Sequence, residues 1–352
     1  MTHTPAVTTE TALGISMSQG RRLMDDLRQP RAWIYWADFL VSVAIGYGAF
    51  AIFPEHNPWS PAAAICVVVS GLAFYRGVVF VHELVHTADG LPHFTTVWHL
   101  LCGIPLLTPK FFYEFHEEHH RARTYGTALD GEYVNYADQP AWRILLTPFS
   151  ALGGLPAFAL RFLLLAPLSW IIPRIRPFVL TRASALAIDA EFHRKLPAGP
   201  VPRQWLVQEA ACFLYSVAVV VLVVTGYISL VRLAEAYAVV TLLLFVNWLR
   251  VLVVHRYESR NRPMTFADQV LDSVDHTAFP IFAELWAPLG LRYHAIHHFF
   301  PALPYHAIPE ARRRLCAALP PDAGLWQTAD RSMQTTLLRL LSSHRRRQER
   351  MT

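Results

Sequence analysis

Charge is what this chain has least of: Asp, Glu, Lys and Arg together make up 16% of its 352 residues. A soluble globular protein carries about 25%. The shortfall, beside 53% hydrophobic residues, argues against a freely soluble domain and for a polytopic membrane protein. Cysteine is scarce too. Cys66, Cys102, Cys212 and Cys316 show no paired spacing, so neither a disulfide framework nor a CxxC metal site is expected. Residues 1–30 lack an apolar core followed by a small-residue cleavage site, so no cleavable signal peptide is expected. Internal repeats and low-complexity linkers are absent. The net charge is +5, but the basic residues flank apolar runs and form no reading surface, which argues against a nucleic-acid partner. Positive loops on the cytoplasmic side of a membrane account for them better.

Long apolar runs are present. A bilayer core needs about 20 apolar residues of helix. Four stretches qualify: 32–53, 61–80, 210–231 and 236–254. The first two are joined by 54–60 and the last two by 232–235, connections short enough to make two antiparallel hairpins. Ile144 to Ile172 is also long, but Pro148, Gly153, Gly154, Pro156, Arg161 and Pro167 interrupt it, so it is expected to lie in the interface or re-enter the membrane. The hairpin turns hold one basic residue, Arg232. Arg21, Arg22, Arg28, Arg31 and the tail arginines Arg345, Arg346 and Arg347 fall on the other side. Both termini and the histidine site are therefore expected on the cytoplasmic side, and the chain is expected to be an integral, multi-pass protein of a bacterial inner membrane. Arg21–Arg28 reads as an amphipathic helix on the membrane surface. Trp33, Trp36, Trp59, Trp205 and Trp248 read as an interfacial belt.

Three clusters hold eight of the 17 histidines: His82–His86 as HxxxH, His116–His120 as HxxHH and His294–His298 as HxxHH. Residues three and four apart share one face of a helix, so His82 and His86, then His116, His119 and His120, then His294, His297 and His298 are each aimed together. Neutral imidazole is a common ligand for iron, zinc and copper. Eight imidazoles are too many for one tetrahedral zinc and suit two iron ions with positions open to substrate and oxygen. His255, at the cytoplasmic end of the fourth apolar run, is a ninth candidate and His276 a weaker tenth. Glu83, Glu117 and Glu118 lie inside the boxes, either orienting imidazoles or as solvated carboxylates. Asp130 and Glu132 either support the second box or belong to a plain polar loop. His93, His99, His193 and His306 read as structural or solvent-facing.

Paired irons can supply electrons to split dioxygen and so attack an unactivated C–H bond, which side chains alone cannot do. The membrane setting suggests an apolar substrate such as a lipid acyl chain. Rival readings exist. His82-Glu83-Leu84-Val85-His86 is literally HExxH, as in zinc proteases, but that leaves two boxes unexplained. A ferritin-like site needs glutamates from further helices, and the third box has none. A metal transporter would place its histidines near the membrane midplane.

The three boxes in this order, with 29 residues between His86 and His116, resemble the membrane fatty acid desaturase superfamily. Arg292-Tyr293-His294-Ala295-Ile296-His297-His298-Phe299-Phe300-Pro301 is similar to the family's third box and its trailing aromatic and proline. The resemblance covers 32–319, between a cytoplasmic segment 1–31 and a basic cytoplasmic tail 320–352. It implies an all-α integral membrane fold of four transmembrane helices in two hairpins, capped by a cytoplasmic histidine-rich helical layer. It also implies a non-heme di-iron centre, oxygen as co-substrate and an external electron donor. No HPGG signature of a fused cytochrome b5 domain is present, so a ferredoxin, rubredoxin or separate cytochrome b5-like protein is the expected donor. Asn247 and His255 stand eight apart, too far to stack on adjacent helical turns as in some relatives. His255-Arg256 looks more like the arginine-flanked histidine of bacterial acyl-lipid members. The expected reaction is fatty acyl desaturation, with hydroxylation or ketolation of a lipid or carotenoid as the alternative.

Overall fold

The computed structural model describes residues 12–87 and 90–351, of which 344–351 as backbone only. His3 and the side chains of Arg345, Arg346 and Arg347 thus lie outside the described residues. The chain is predominantly helical. Its principal helices are α1 (Ala32–Ala51), α2 (Pro61–His86), α3 (His116–His119), α4 (Arg203–Val224), α5 (Leu230–Val254), α6 (Phe266–Asp272) and α7 (His294–Phe299). Two short strands, β1 (Asp275–His276) and β2 (Ala329–Asp330), pair in parallel. The residues fall into two compact units. One comprises Ala32–Glu117 and Leu145–Leu249; the other comprises Met1–Arg31, Glu118–Ile144 and Arg250–Thr352.

The first of these units holds the apolar helices. Pro61 opens α2 after Ser60, whose hydroxyl accepts the Ala63 N–H; a proline at the first position loses no helical bond. With 26 residues, α2 is longer than a bilayer core requires. Its final turns carry the first histidine box, so that box belongs to the helix rather than to a segment after it. Small residues let α1 and α2 approach. Ser70 Oγ donates to the Gly46 carbonyl at 3.0 Å, and a Cβ on Gly46 would stand 3.0 Å from the Phe74 ring. Arg76 donates to both oxygens of Asp38 at 2.7 and 2.6 Å, so these two charges satisfy each other.

The second hairpin turns at 225–229, earlier than expected. Gly226 at φ +80° supplies the left-handed residue that ends α4. Ser229 Oγ accepts the Arg232 N–H at 3.0 Å. Arg232 then lies inside α5 and bridges Glu55 and Glu235 at 2.8 and 2.5 Å.

Residues from Ala141 to Ile171 form a helical run long and apolar enough to cross a membrane, so the described residues contain five such helices by length and composition. The prolines and glycines do not break the run. It passes from α-helix into a 3-10 segment at Thr147–Gly153 and a π segment at Arg161–Leu165, local geometries that tolerate lost backbone bonds. Arg161 within it is buried and binds Glu209 of α4 at 2.5 Å. Arg176 and the Trp170 indole N–H reach the same carboxylate at 2.7 and 3.0 Å. Trp205 also departs from expectation. It is buried, donates to Glu114 at 2.7 Å, and carries the Arg194 guanidinium over its ring at 3.8 Å. It is part of the protein interior, whereas Trp33 and Trp59 are exposed.

The other unit surrounds α7. Ile296 and Phe299 pack with Leu13, Ile15, Met24, Val270, Leu315 and Leu325. The N-terminal helix Met17–Leu23 is capped by Ser16 and Gln19, and Gly20 lies flat on Phe299 and Phe300, where a Cβ would come within 3.0 Å. The apolar side of this segment, expected on a lipid surface, is buried instead in the protein's own core.

Candidate metal centre

Within the helix-rich unit, α2 aligns His82 and His86 on one face, and their rings lie 4.9 Å apart. His116 joins them at 4.7 and 5.1 Å. The three present ligand nitrogens within 4.8 Å of one another. Tyr113 stacks on the His116 ring at 4.8 Å. Glu83, between the two helix histidines, accepts the Tyr35 hydroxyl at 2.5 Å and stands 3.6 Å from His82 Nδ1. Its engagement with Tyr35 fits an orienting group better than the solvent-facing base of a zinc protease.

In the other unit, His119, His255, His294 and His298 form a buried quartet whose ligand nitrogens lie within 4.8 Å. The Nε2 atom of His255 is 3.2 Å from that of His119 and 3.1 Å from that of His294, and His294 Nε2 is 3.1 Å from that of His298. His120 and His297 likewise bring their Nε2 atoms to 3.1 Å.

The far ring nitrogens explain the arrangement. His119 Nδ1–H donates to the Asp130 carboxylate at 2.9 and 3.0 Å. Asp130 is fixed in turn by the N–H groups of Gly126 and Glu132, each at 3.0 Å. Gly126 sits at φ +69°, and a Cβ there would strike Ser259 at 2.4 Å, so this turn needs glycine. Asp130 therefore supports the second box. Glu117 is exposed and Glu118 pairs with Arg121, the solvated alternative. His255 Nδ1 is 2.8 Å from the Tyr125 hydroxyl, which donates to Asp272 at 2.7 Å. The amide of Gln269 lies 3.0 Å from His298 Nδ1 and 3.1 Å from the His119 carbonyl oxygen. Asp275 accepts the N–H groups of Ala295 and Ile296 at 2.8 and 3.3 Å, holding the first turn of α7.

Electrostatics favour neutral rings. Burial, reinforced by the neighbouring imidazoles, drives the pKa of His255, His294 and His298 well below the usual value. Burial opposes charge on His119 also, but the Asp130 carboxylate outweighs it and raises that pKa. His119 and His255, whose Nδ1–H groups are held by acceptors outside the quartet, turn Nε2 inward. Several lone pairs about 3 Å apart repel unless a cation sits among them. The donor set thus fits metal ions, and all-imidazole coordination suits iron as well as zinc or copper.

His276 does not join the cluster. Its Nε2–H donates to the Val253 carbonyl at 3.0 Å and its ring packs on Trp286. Among the structural histidines, His99 binds the Thr95 carbonyl and the Lys110 N–H, and His306 accepts the Arg31 N–H. Sequence reasoning missed Tyr125, Gln269, Asp272 and Asp275. The one signal available was the three-residue spacing of Gln269, Asp272 and Asp275, interleaved with Val270, Leu271 and Val274.

Comparison with known proteins agrees with this geometry. The fatty acid desaturase family model matches residues 57–329. A ceramide hydroxylase of Caulobacter vibrioides is 37% identical over 317 residues, covering 89% of this chain and 90% of that protein. With its histidine clusters and apolar helices, the chain belongs to the fatty acid desaturase family of membrane oxidoreductases.

Proposed function

We propose that this protein hydroxylates a lipid of the ceramide class, consuming dioxygen and two electrons from an external carrier. The observation that carries the reading is the similarity to a ceramide hydroxylase along nine-tenths of both chains. It favours the hydroxylase alternative over acyl desaturation, the reaction first expected from the boxes. The balance is simple: one C–H bond becomes C–OH, and the second oxygen atom leaves as water with two electrons and two protons.

The metal ligands are the nine histidines. His119, His255, His294 and His298 hold one ion. His82, His86 and His116 hold the other, with His120 and His297. Support for this pooling comes from the second box itself. His116, His119 and His120 lie within five consecutive residues, so one short segment carries ligands of both sets. Two iron ions bound there would supply the oxidising power that an unactivated C–H bond demands. The chain's own part is to hold the nine imidazoles, fix His119 and His255 through their Nδ1–H groups and exclude water by burying most of the set.

The membrane domain, 32–319, crosses four times with the histidines and both termini in the cytoplasm. The run Ala141–Ile171 then enters without crossing. Its start follows Tyr136, which packs on Tyr257 just beyond the end of α5 at 4.9 Å. Its end leads to Arg176, bound to Glu209 near the start of α4. In an antiparallel hairpin these two helix ends share a side, so a run that begins and ends there returns to the side it left.

The test is to express the protein and His297→Ala in a bacterium supplied with ceramide and compare lipids by mass spectrometry. A ceramide heavier by one oxygen, absent with the variant, is expected. A product lighter by two hydrogens would restore the desaturase reading and leave the metal site standing.

A further inference from the structure

We infer that Tyr125 and Asp272 are positioning residues that hold His255 with its Nε2 turned to the quartet, so that one metal ion of the pair depends on them and the other does not. The inference rests on the metal-centre reading above.

The backbone brings Asp272 to this place. Arg256 N–H donates to the Asp272 carbonyl at 2.7 Å and Val274 N–H to the Val254 carbonyl at 2.9 Å. Residues 254–256 and 272–274 are thereby paired around His255, the first residue beyond α5. Asp272 Oδ1 accepts the Glu258 N–H at 2.9 Å. Its Oδ2 accepts the hydroxyls of Tyr125 and Tyr133 at 2.7 and 3.0 Å. The same oxygen is 3.9 Å from His255 Nδ1, too far for a hydrogen bond. Tyr125 closes that gap.

Proton bookkeeping then fixes the tautomer. A phenol has one hydrogen to donate. Tyr125 gives it to the carboxylate, so its oxygen can only accept from His255 at 2.8 Å. Nδ1 must therefore carry the proton and Nε2 the lone pair. Ser273 Oγ is the other acceptor in reach, at a weak 3.4 Å. His119 achieves the same result with one carboxylate in direct contact. His255 uses a phenol as spacer, because the backbone pairing holds its carboxylate one side chain further away. A group that orients a metal-bound imidazole in this way contributes about 10- to 100-fold to metal affinity.

The test is iron release from the purified, iron-loaded protein challenged with the chelator ferrozine. Wild type is expected to release two ions per chain slowly. Tyr125→Phe is expected to release one ion about 10 to 100 times faster and the other at the wild-type rate. Tyr133→Phe, whose hydroxyl meets Asp272 but not His255, is expected to match wild type. Wild-type release from Tyr125→Phe, or equal acceleration in Tyr133→Phe, would overturn the relay. If Tyr125→Phe fails to fold, Asp272→Asn keeps the volume and weakens the acceptor. The same one-ion acceleration, smaller in size, is then expected, and unchanged release would overturn it. A wild-type protein that holds one ion would count against the two-ion reading instead. In that case Tyr125→Phe releasing the ion at the wild-type rate would still refute the relay.

Discussion

Replacing Asp275 by alanine should detach the third histidine box from its support. Asp275 is buried, and one of its oxygens accepts two backbone N–H groups at the start of α7. The helix has six residues, so its own hydrogen bonds cannot stabilise it alone. Alanine would leave both N–H groups buried without an acceptor. Each such group costs about 1–3 kcal/mol, so roughly 2–6 kcal/mol would be lost from the placement of α7. At 1.4 kcal/mol per factor of ten, that depopulates the competent arrangement by about 30-fold at the low end and about 10⁴-fold at the high end. Because α7 carries His294, His297 and His298, and His297 pairs with His120 outside the quartet, both ions should be affected. The assay is iron per chain alongside product formed per unit of membrane-inserted protein. Both should fall together, and Asp275→Asn, which keeps an acceptor oxygen, should recover a substantial part. Wild-type iron and activity in Asp275→Ala would refute the role of the carboxylate.

Other expectations follow from the same geometry. His86→Ala, His119→Ala and His297→Ala should each abolish hydroxylation while the protein still inserts; full activity in any of them removes that residue from the ligand set. Glu209→Ala leaves the buried Arg161 and the half-buried Arg176 without their shared carboxylate and should destabilise the protein by about 3–5 kcal/mol. Thermal unfolding in detergent would reveal this as an earlier transition, and an unchanged midpoint would contradict it. A topology reporter fused at Phe192 should report the cytoplasm; a periplasmic signal would mean that Ala141–Ile171 crosses.

The histidines were legible because their signal is local. His82 with His86, and His294 with His297 and His298, announce a shared helical face through spacing alone, and α1, α2, α4 and α5 announce themselves by apolar length. The continuity of the run Ala141–Ile171 is not legible in the sequence, because its prolines and glycines read as interruptions whereas 3-10 and π turns carry the helix through them. His255 and His276 look alike in sequence. What separates them is the partner of the second ring nitrogen: a phenol for one, and for the other a backbone carbonyl that turns it away from the cluster. Asp272 reaches Tyr125 across 147 residues of chain, and no local pattern encodes such a bond. Asp130 was half visible because it lies 11 residues from His119, close enough for one turn to return it.

The central claim is oxygen insertion at the histidine cluster. The most direct measurement supplies the purified, reduced protein with ceramide under isotopically labelled dioxygen and weighs the product. The account predicts one labelled oxygen atom per modified ceramide, and none with His297→Ala. Oxygen drawn from water, or a product lighter by two hydrogens, would contradict it.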